Sequence, residues 1–244
     1  MHLSWLLTFL QIILESLPIS SSTHIALLSS KFGLPFEAAL DHAVHGITLI
    51  IILLFWRKNF LKMACDSWQK RIHLLTYVLI ASIPPTLVFF SSIKYSLSLI
   101  PAYYGLIITA VALFCSNSAV IKEKEFSVLQ ALQLGIAQSL ALIPGISRMG
   151  ITYSFARYMK HSPEQSLWLS CLIEVPICAG GILLALKKIR HIIPLMNDPI
   201  PLAVGIIVSA CTSYGALYIT YKILTQKKPW IFSLYLLVLA FLAL

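Results

Sequence analysis

Charge is what this chain has least of. Only 11% of its 244 residues are Asp, Glu, Lys or Arg, against roughly 25% in a soluble domain, which excludes a water-soluble globule. Acidic residues are scarcer still, nine against 18 Lys plus Arg. The net charge of +9 does not indicate nucleic acid, because the basic residues sit in short loops between apolar stretches rather than on one face. The cysteines are odd in number, lack CxxC spacing and lie mostly in apolar stretches, so they read as small buried hydrophobes. The opening MHLSWLLTFLQ has neither a basic n-region nor a small-residue cleavage site and reads as a retained segment.

Long apolar runs are what the chain does have, and they predict an all-α polytopic membrane protein forming one integral membrane domain over 1–244. A helix needs about 20 apolar residues to cross about 30 Å of hydrocarbon. Six crossings are expected, at roughly 38–56, 72–92, 99–116, 163–186, 201–221 and 230–244. Two further apolar stretches are interrupted. The first, 3–14, meets Glu15, Pro18 and a serine cluster; the second, about 128–143, meets Pro144-Gly145 and then Ser147-Arg148. Broken helices at membrane depth persist only where protein or a watery cavity satisfies the freed backbone, so both are expected to be re-entrant hairpins, over about 3–32 and 128–158. Counting Lys and Arg by side then puts twelve on one side and five (Lys31, Lys94, Lys187, Lys188, Arg190) on the other. The richer side is expected to be cytoplasmic, with both termini outside.

A shift of 127 residues aligns Gln11 with Gln138, Ser20 with Ser147, Ser21 with Arg148 and Glu37 with Glu164. This predicts two inverted-topology repeats, about 1–116 and 128–244, interlocked through their hairpins, with a site where they meet.

Five carboxylates, Glu15, Glu37, Asp41, Glu164 and Glu174, fall inside or at the ends of apolar spans, where each needs a partner, a wet cavity or neutralisation. Glu37 and Glu164 follow Pro35 and Pro163 and suit helix starts. Glu15 stands at a break among Ser20, Ser21, Ser22, Thr23 and His24. Such a group can supply nucleophile, base and orienter; it can equally be a hydroxyl cap beside a core histidine. Helix-start amides at both breaks, with the fixed charge of Arg148, suit a phosphate. Asp41 and His45 lie four apart on one helix face, as a structural pair or as cavity lining.

These residues carry a resemblance. The segment from Glu15 to His24, E-S-L-P-I-S-S-S-T-H, is similar to the E-F-L-P-V-S-S-T-G-H segment of the undecaprenyl-diphosphate phosphatase family, the bacitracin-resistance lipid phosphatases. The segment from Ala137 to Thr152 is similar to that family's A-Q-x-L-A-L-I-P-G-x-S-R-S-G-x-T signature. Asp41-His-Ala-Val-His45 with Thr48 resembles its D-V-A-L-H-L-G-T helix. The resemblance implies a bacterial plasma (inner) membrane enzyme that removes one phosphate from undecaprenyl diphosphate and recycles the lipid carrier of cell-wall synthesis. It implies catalytic roles for Glu15, Ser21, His24 and Arg148 and phosphate binding by Ser20, Ser147, Arg148 and Thr152. Gln11, Asp41, His45 and Glu174 are expected accessories, and a divalent cation, Mg²⁺ or Ca²⁺, is a candidate cofactor. The expected partners are the polyprenyl diphosphate and membrane lipids, with room for a homodimer and none for nucleic acid.

The departures from the family pattern are specific. Gln11 stands where the family has a second glutamate, one turn before Glu15, and a neutral amide is neither a general base nor a good ligand for a hard cation. Ser22-Thr23 replaces a T-G pair, and Met149 replaces a serine. Glu174, where the family has a small apolar residue, is a candidate for the missing carboxylate. A flippase or transporter of polyprenyl phosphate with weak or no hydrolysis is the alternative function, favoured by Gln11 and by the repeat geometry.

Overall fold

The computed structural model describes residues 3–33, 38–118, 126–187 and 199–243; Glu37 and the side chain of Asp41 lie outside the described residues. Among the described residues every regular element is helical. The helices are α1 (Leu3–Leu14), α2 (Ser21–Phe32), α3 (Ala38–Phe55), α4 (Arg57–Cys65), α5 (Trp68–Phe90) and α6 (Ile93–Ser98), followed by α7 (Ala102–Ser116), α8 (Val128–Ser139), α9 (Arg148–Tyr158), α10 (Pro163–Lys187), α11 (Pro199–Thr225) and α12 (Trp230–Leu242).

Local chemistry sets several of these boundaries. Ser127 accepts from the Gln130 amide while the Gln130 side chain accepts from the Ser127 amide, a reciprocal capping box that opens α8. Ser147 caps α9 by accepting from the Gly150 amide at 3.1 Å. Pro163 opens α10, where its missing N–H costs nothing, with Glu164 in the first turn as expected and Ser162 accepting from the Gln165 amide. Gly33, at φ +60°, closes α2 in the left-handed region.

Among the described residues three helices are long and apolar enough to cross a bilayer alone, at Trp68–Phe90, Pro163–Lys187 and Leu202–Thr225. The stretch expected to cross at 38–56 bends by 70° at Trp56, where α3 gives way to the basic helix α4. The crossings expected at 99–116 and 230–244 form helices of 15 and 13 residues, about 22 and 20 Å long at 1.5 Å per residue.

The outside is apolar and much of the inside is polar, as a lipid solvent requires. Leu79, Phe90, Leu183 and Phe241 are exposed, whereas Thr109, Thr152, Ser154, Ser213 and Thr220 are fully buried. The same inversion corrects the reading of the cysteines: only Cys171 and Cys178 are buried, while Cys65, Cys115 and Cys211 are exposed. An apolar span can put a small apolar side chain on its outer face as readily as in the core. All five thiols are free.

Helices from the two ends of the chain pack together. α1 packs on α11, α5 on α8, α3 on α10 and α7 on α12, and α9 contacts both α7 and α10. The two interrupted stretches fold as helix, break, helix, and neighbouring helices satisfy each break. Ser213 of α11 donates to the Ile12 carbonyl at 2.8 Å and Thr220 to the Ser16 carbonyl at 3.0 Å, serving acceptors freed where α1 ends. At the second break, a 3₁₀ turn at Leu140–Leu142 leads into Gly145, whose φ of +89° favours glycine. A Cβ on Gly145 would overlap the Ala102 carbonyl oxygen, and one on Gly105 would overlap the Pro144 carbonyl oxygen, so two glycines let α7 run directly against the break. Thr109 of α7 then accepts from the Ser147 amide at 3.1 Å.

Candidate active site

A cavity of about 150 Å³ lies between the two breaks. Ser20, Ser21 and Ser22 line it from the first break, and Ser147, Arg148 and Met149 from the second. The starts of α2 and α9 therefore face one space, and the helix dipoles give it positive character at both ends. Gln11, Glu15, His45 and Glu174 complete the polar wall.

Each charged side chain has a defined partner. Glu15 follows α1 directly, its amide still bonded to the Gln11 carbonyl at 3.0 Å. Its carboxylate accepts a hydrogen bond from Thr48 Oγ1, and His45 Nδ1 lies 3.5 Å away. His45 and Thr48 are three residues apart on α3 and so present the same face to Glu15. Across the cavity, Arg148 Nη1 donates to Glu174 Oε1 at 3.1 Å. Arg148 is the first residue of α9, and Glu174 comes from the middle of α10, two residues before Pro176. Gln138 fixes that part of α10 by donating from Nε2 to the Ile173 carbonyl at 3.3 Å.

Of the residues singled out in the sequence, Gln11, Glu15, Ser20, Ser21, His45, Ser147, Arg148 and Glu174 share this cavity. His24 and Thr152 stand behind its wall. His24 Nδ1 lies 2.6 Å from the Ser20 carbonyl oxygen, which can only accept, so Nδ1 carries a proton; Nε2 then faces the Tyr235 hydroxyl, also at 2.6 Å. The imidazole stacks on the Tyr235 ring with the planes 6° apart. Thr152 Oγ1 donates to the Arg148 carbonyl at 2.8 Å and lies 2.6 Å from Ser170 Oγ, which ties the first turn of α9 to α10. Ser20 Oγ is 3.0 Å from Thr23 Oγ1. The Ser21 hydroxyl has no hydrogen-bond partner among the described residues and is half-exposed toward the cavity. Tyr235, Ser170 and Thr109 were not identified from the sequence. Each shares an apolar helix with another hydroxyl, with no local pattern to mark it.

Among the described residues no three His, Cys, Asp or Glu side chains converge to form a protein-only metal cage. A carboxylate on the cavity does fit a cation that arrives with a diphosphate, since Mg²⁺ is usually held by one or two carboxylates plus substrate oxygens and water. Glu15 is the residue that would hold it, because Glu174 is paired with Arg148.

A helical membrane protein with a polar cavity, lined by an arginine and two carboxylates, between two broken helices is the class that this fold and site define. The profile of the bacitracin resistance protein BacA family matches residues 4–242, and the chain belongs to that family. Among its relatives, a Campylobacter curvus protein called undecaprenyl-diphosphatase is 33% identical over 250 residues, covering 96% of this chain and 94% of the relative. A Thermotoga maritima protein of the same name is 31% identical over 245 residues, covering 98% and 97%.

Proposed function

We propose that this chain hydrolyses undecaprenyl diphosphate to undecaprenyl phosphate and inorganic phosphate in the bacterial plasma membrane. The observation that carries the reading is the single cavity shared by Arg148, the two helix starts and two carboxylates. Phosphoryl transfer needs mostly positioning and electrostatic stabilisation, and the proposed parts are assigned accordingly. Arg148, Ser147 and the amides of α2 and α9 hold the diphosphate. The bond between the terminal phosphorus and the bridging oxygen breaks, the lipid phosphate leaves, and water supplies the new oxygen, either directly or after transfer of the phosphoryl group to Ser21.

Glu15, oriented by Thr48 and His45, takes up the proton from the attacking hydroxyl or water. His24 acts through the loop it braces, and Thr152 acts through the Arg148 turn. A divalent cation, when bound, would neutralise phosphate charge. Glu174, the cavity's second carboxylate, acts through Arg148.

For the fold, we propose one membrane domain of two interlocked inverted repeats with two re-entrant hairpins, six crossings and both termini outside. The pairing of α1 with α11 and of α8 with α5 supports this, because each hairpin helix packs on a long helix of the other half.

The test is phosphate release from undecaprenyl diphosphate by detergent-purified protein, beside Arg148→Ala. The expected result is hydrolysis by the wild type and a loss on the order of 10²–10³ in the variant. Lipid binding without hydrolysis by the folded wild type would support the transporter instead.

A further inference from the structure

We infer that Glu174 is a positioning residue that holds Arg148 toward the cavity and gives it up to the incoming diphosphate, so that substrate binding exchanges one anion for another on the guanidinium. This rests on the reading of the cavity as the diphosphate site.

Arg148 sits where a cation is least welcome. It is the first residue of α9, at the positive end of the helix dipole. Glu174, at 3.1 Å, offsets that charge; the carboxylate is buried and the guanidinium is partly exposed to the cavity. Before any ligand arrives, the pair keeps the guanidinium oriented into the cavity.

The two carboxylates of the cavity are held differently. Glu15 is bound by Thr48 and faces His45, so it stays in place when Arg148 engages a ligand. Glu174 has Arg148 as its one hydrogen-bond partner among the described residues, and only Oε1 is used. Its backbone is secured by Gln138 at the Ile173 carbonyl and by the packing of α10 on α3 and α9, which leaves the side chain as the part that moves.

A guanidinium has five donors, and phosphate oxygens can engage those that Glu174 leaves free. Doing so brings like charge against the Glu174 carboxylate in a site where water screens little. The carboxylate swings away as phosphate binds and returns as inorganic phosphate leaves. Glu174 thereby lowers the resting affinity of the cavity for anions and speeds the release of product.

The experiment titrates inorganic pyrophosphate into the detergent-purified full chain by calorimetry in EDTA, alongside steady-state kinetics. Glu174→Gln should bind pyrophosphate about tenfold more tightly than the wild type. Its KM should fall in parallel, and kcat should fall about threefold because product is retained. Glu174→Ala should move in the same direction and serves if the glutamine variant does not fold. Glu174→Asp, which keeps the charge, should stay within about threefold of the wild type. A purely structural Glu174 would leave pyrophosphate affinity unchanged or weaken it in the Gln and Ala variants, and that result overturns the inference. Arg148→Ala separates the two levels: if it binds pyrophosphate as well as the wild type, the cavity is not the anion site at all. If it loses binding while Glu174→Gln gains none, the exchange alone is wrong.

Discussion

The imidazole of His24 is held between the Ser20 carbonyl and the Tyr235 hydroxyl, each at 2.6 Å, which fastens the last helix of the chain to its first break. Tyr235→Phe removes one end of this brace and leaves a buried ring nitrogen unpaired. We expect a loss of about 1–2 kcal/mol in thermal unfolding and a fall of about fivefold to twentyfold in kcat/KM, equivalent to about 1–2 kcal/mol in the barrier. If His24 instead transfers protons itself, Tyr235→Phe would shift the pH profile of kcat/KM rather than scale it.

Thr48 is the hydroxyl donor to Glu15. Thr48→Val keeps the shape and removes the donor, so stability should change little while kcat/KM falls about tenfold, or about 1.4 kcal/mol. Thr48→Ser should restore most of the rate. Equal rates for the Val and Ser variants would show that the orientation of Glu15 is unimportant.

The second break depends on backbone contact with α7. Gly145→Ala combines a left-handed φ with overlap on Ala102, and we expect destabilisation of about 2 kcal/mol or more. Gly105→Ala should act alike from the other side of the same contact. Thermal unfolding of both in detergent checks this, and a wild-type midpoint in either would contradict the packing described.

The first break depends on α11 for its backbone acceptors. Ser213→Ala removes the donor to the Ile12 carbonyl and the 2.6 Å contact with Ser16 Oγ. Interhelical hydrogen bonds of this kind are worth about 0.6 kcal/mol on average and up to about 1.7 in membranes. A loss in that range is expected, with a larger one when Thr220→Val is added.

Much of the site was legible because charge is so scarce in this chain. Pro18 and Pro144-Gly145 interrupt otherwise apolar runs, and Arg148, Glu15 and Glu174 stand out where lipid would tolerate none of them alone. That is why the two breaks and most of the cavity wall could be named from residues. The partners of those residues were not legible. Thr109 also donates to the Gly105 carbonyl at 2.9 Å, the local bond that any threonine in a helix makes, so nothing in its surroundings signals that it accepts from Ser147 as well. His45 was expected to pair with Asp41, whose side chain lies outside the described residues, or to line the cavity; it does line the cavity, beside Glu15, 30 residues earlier in the chain. Periodicity on one helix cannot reveal a contact made across two. The bend at Trp56 was missed for a related reason. Hydropathy runs on to Phe55, and the turn is made by burying Trp56 against Phe55, Trp168 and Tyr221 on three helices.

The central claim is that both breaks hold one diphosphate, and a double-mutant cycle on Ser21→Ala and Arg148→Ala, one residue from each break, tests it most directly. With kcat/KM for undecaprenyl diphosphate as the readout, residues acting as a unit are strongly non-additive. We predict that the double variant is no worse than the poorer single variant, within about threefold. Losses that multiply in full would place the two breaks in separate roles and contradict the account.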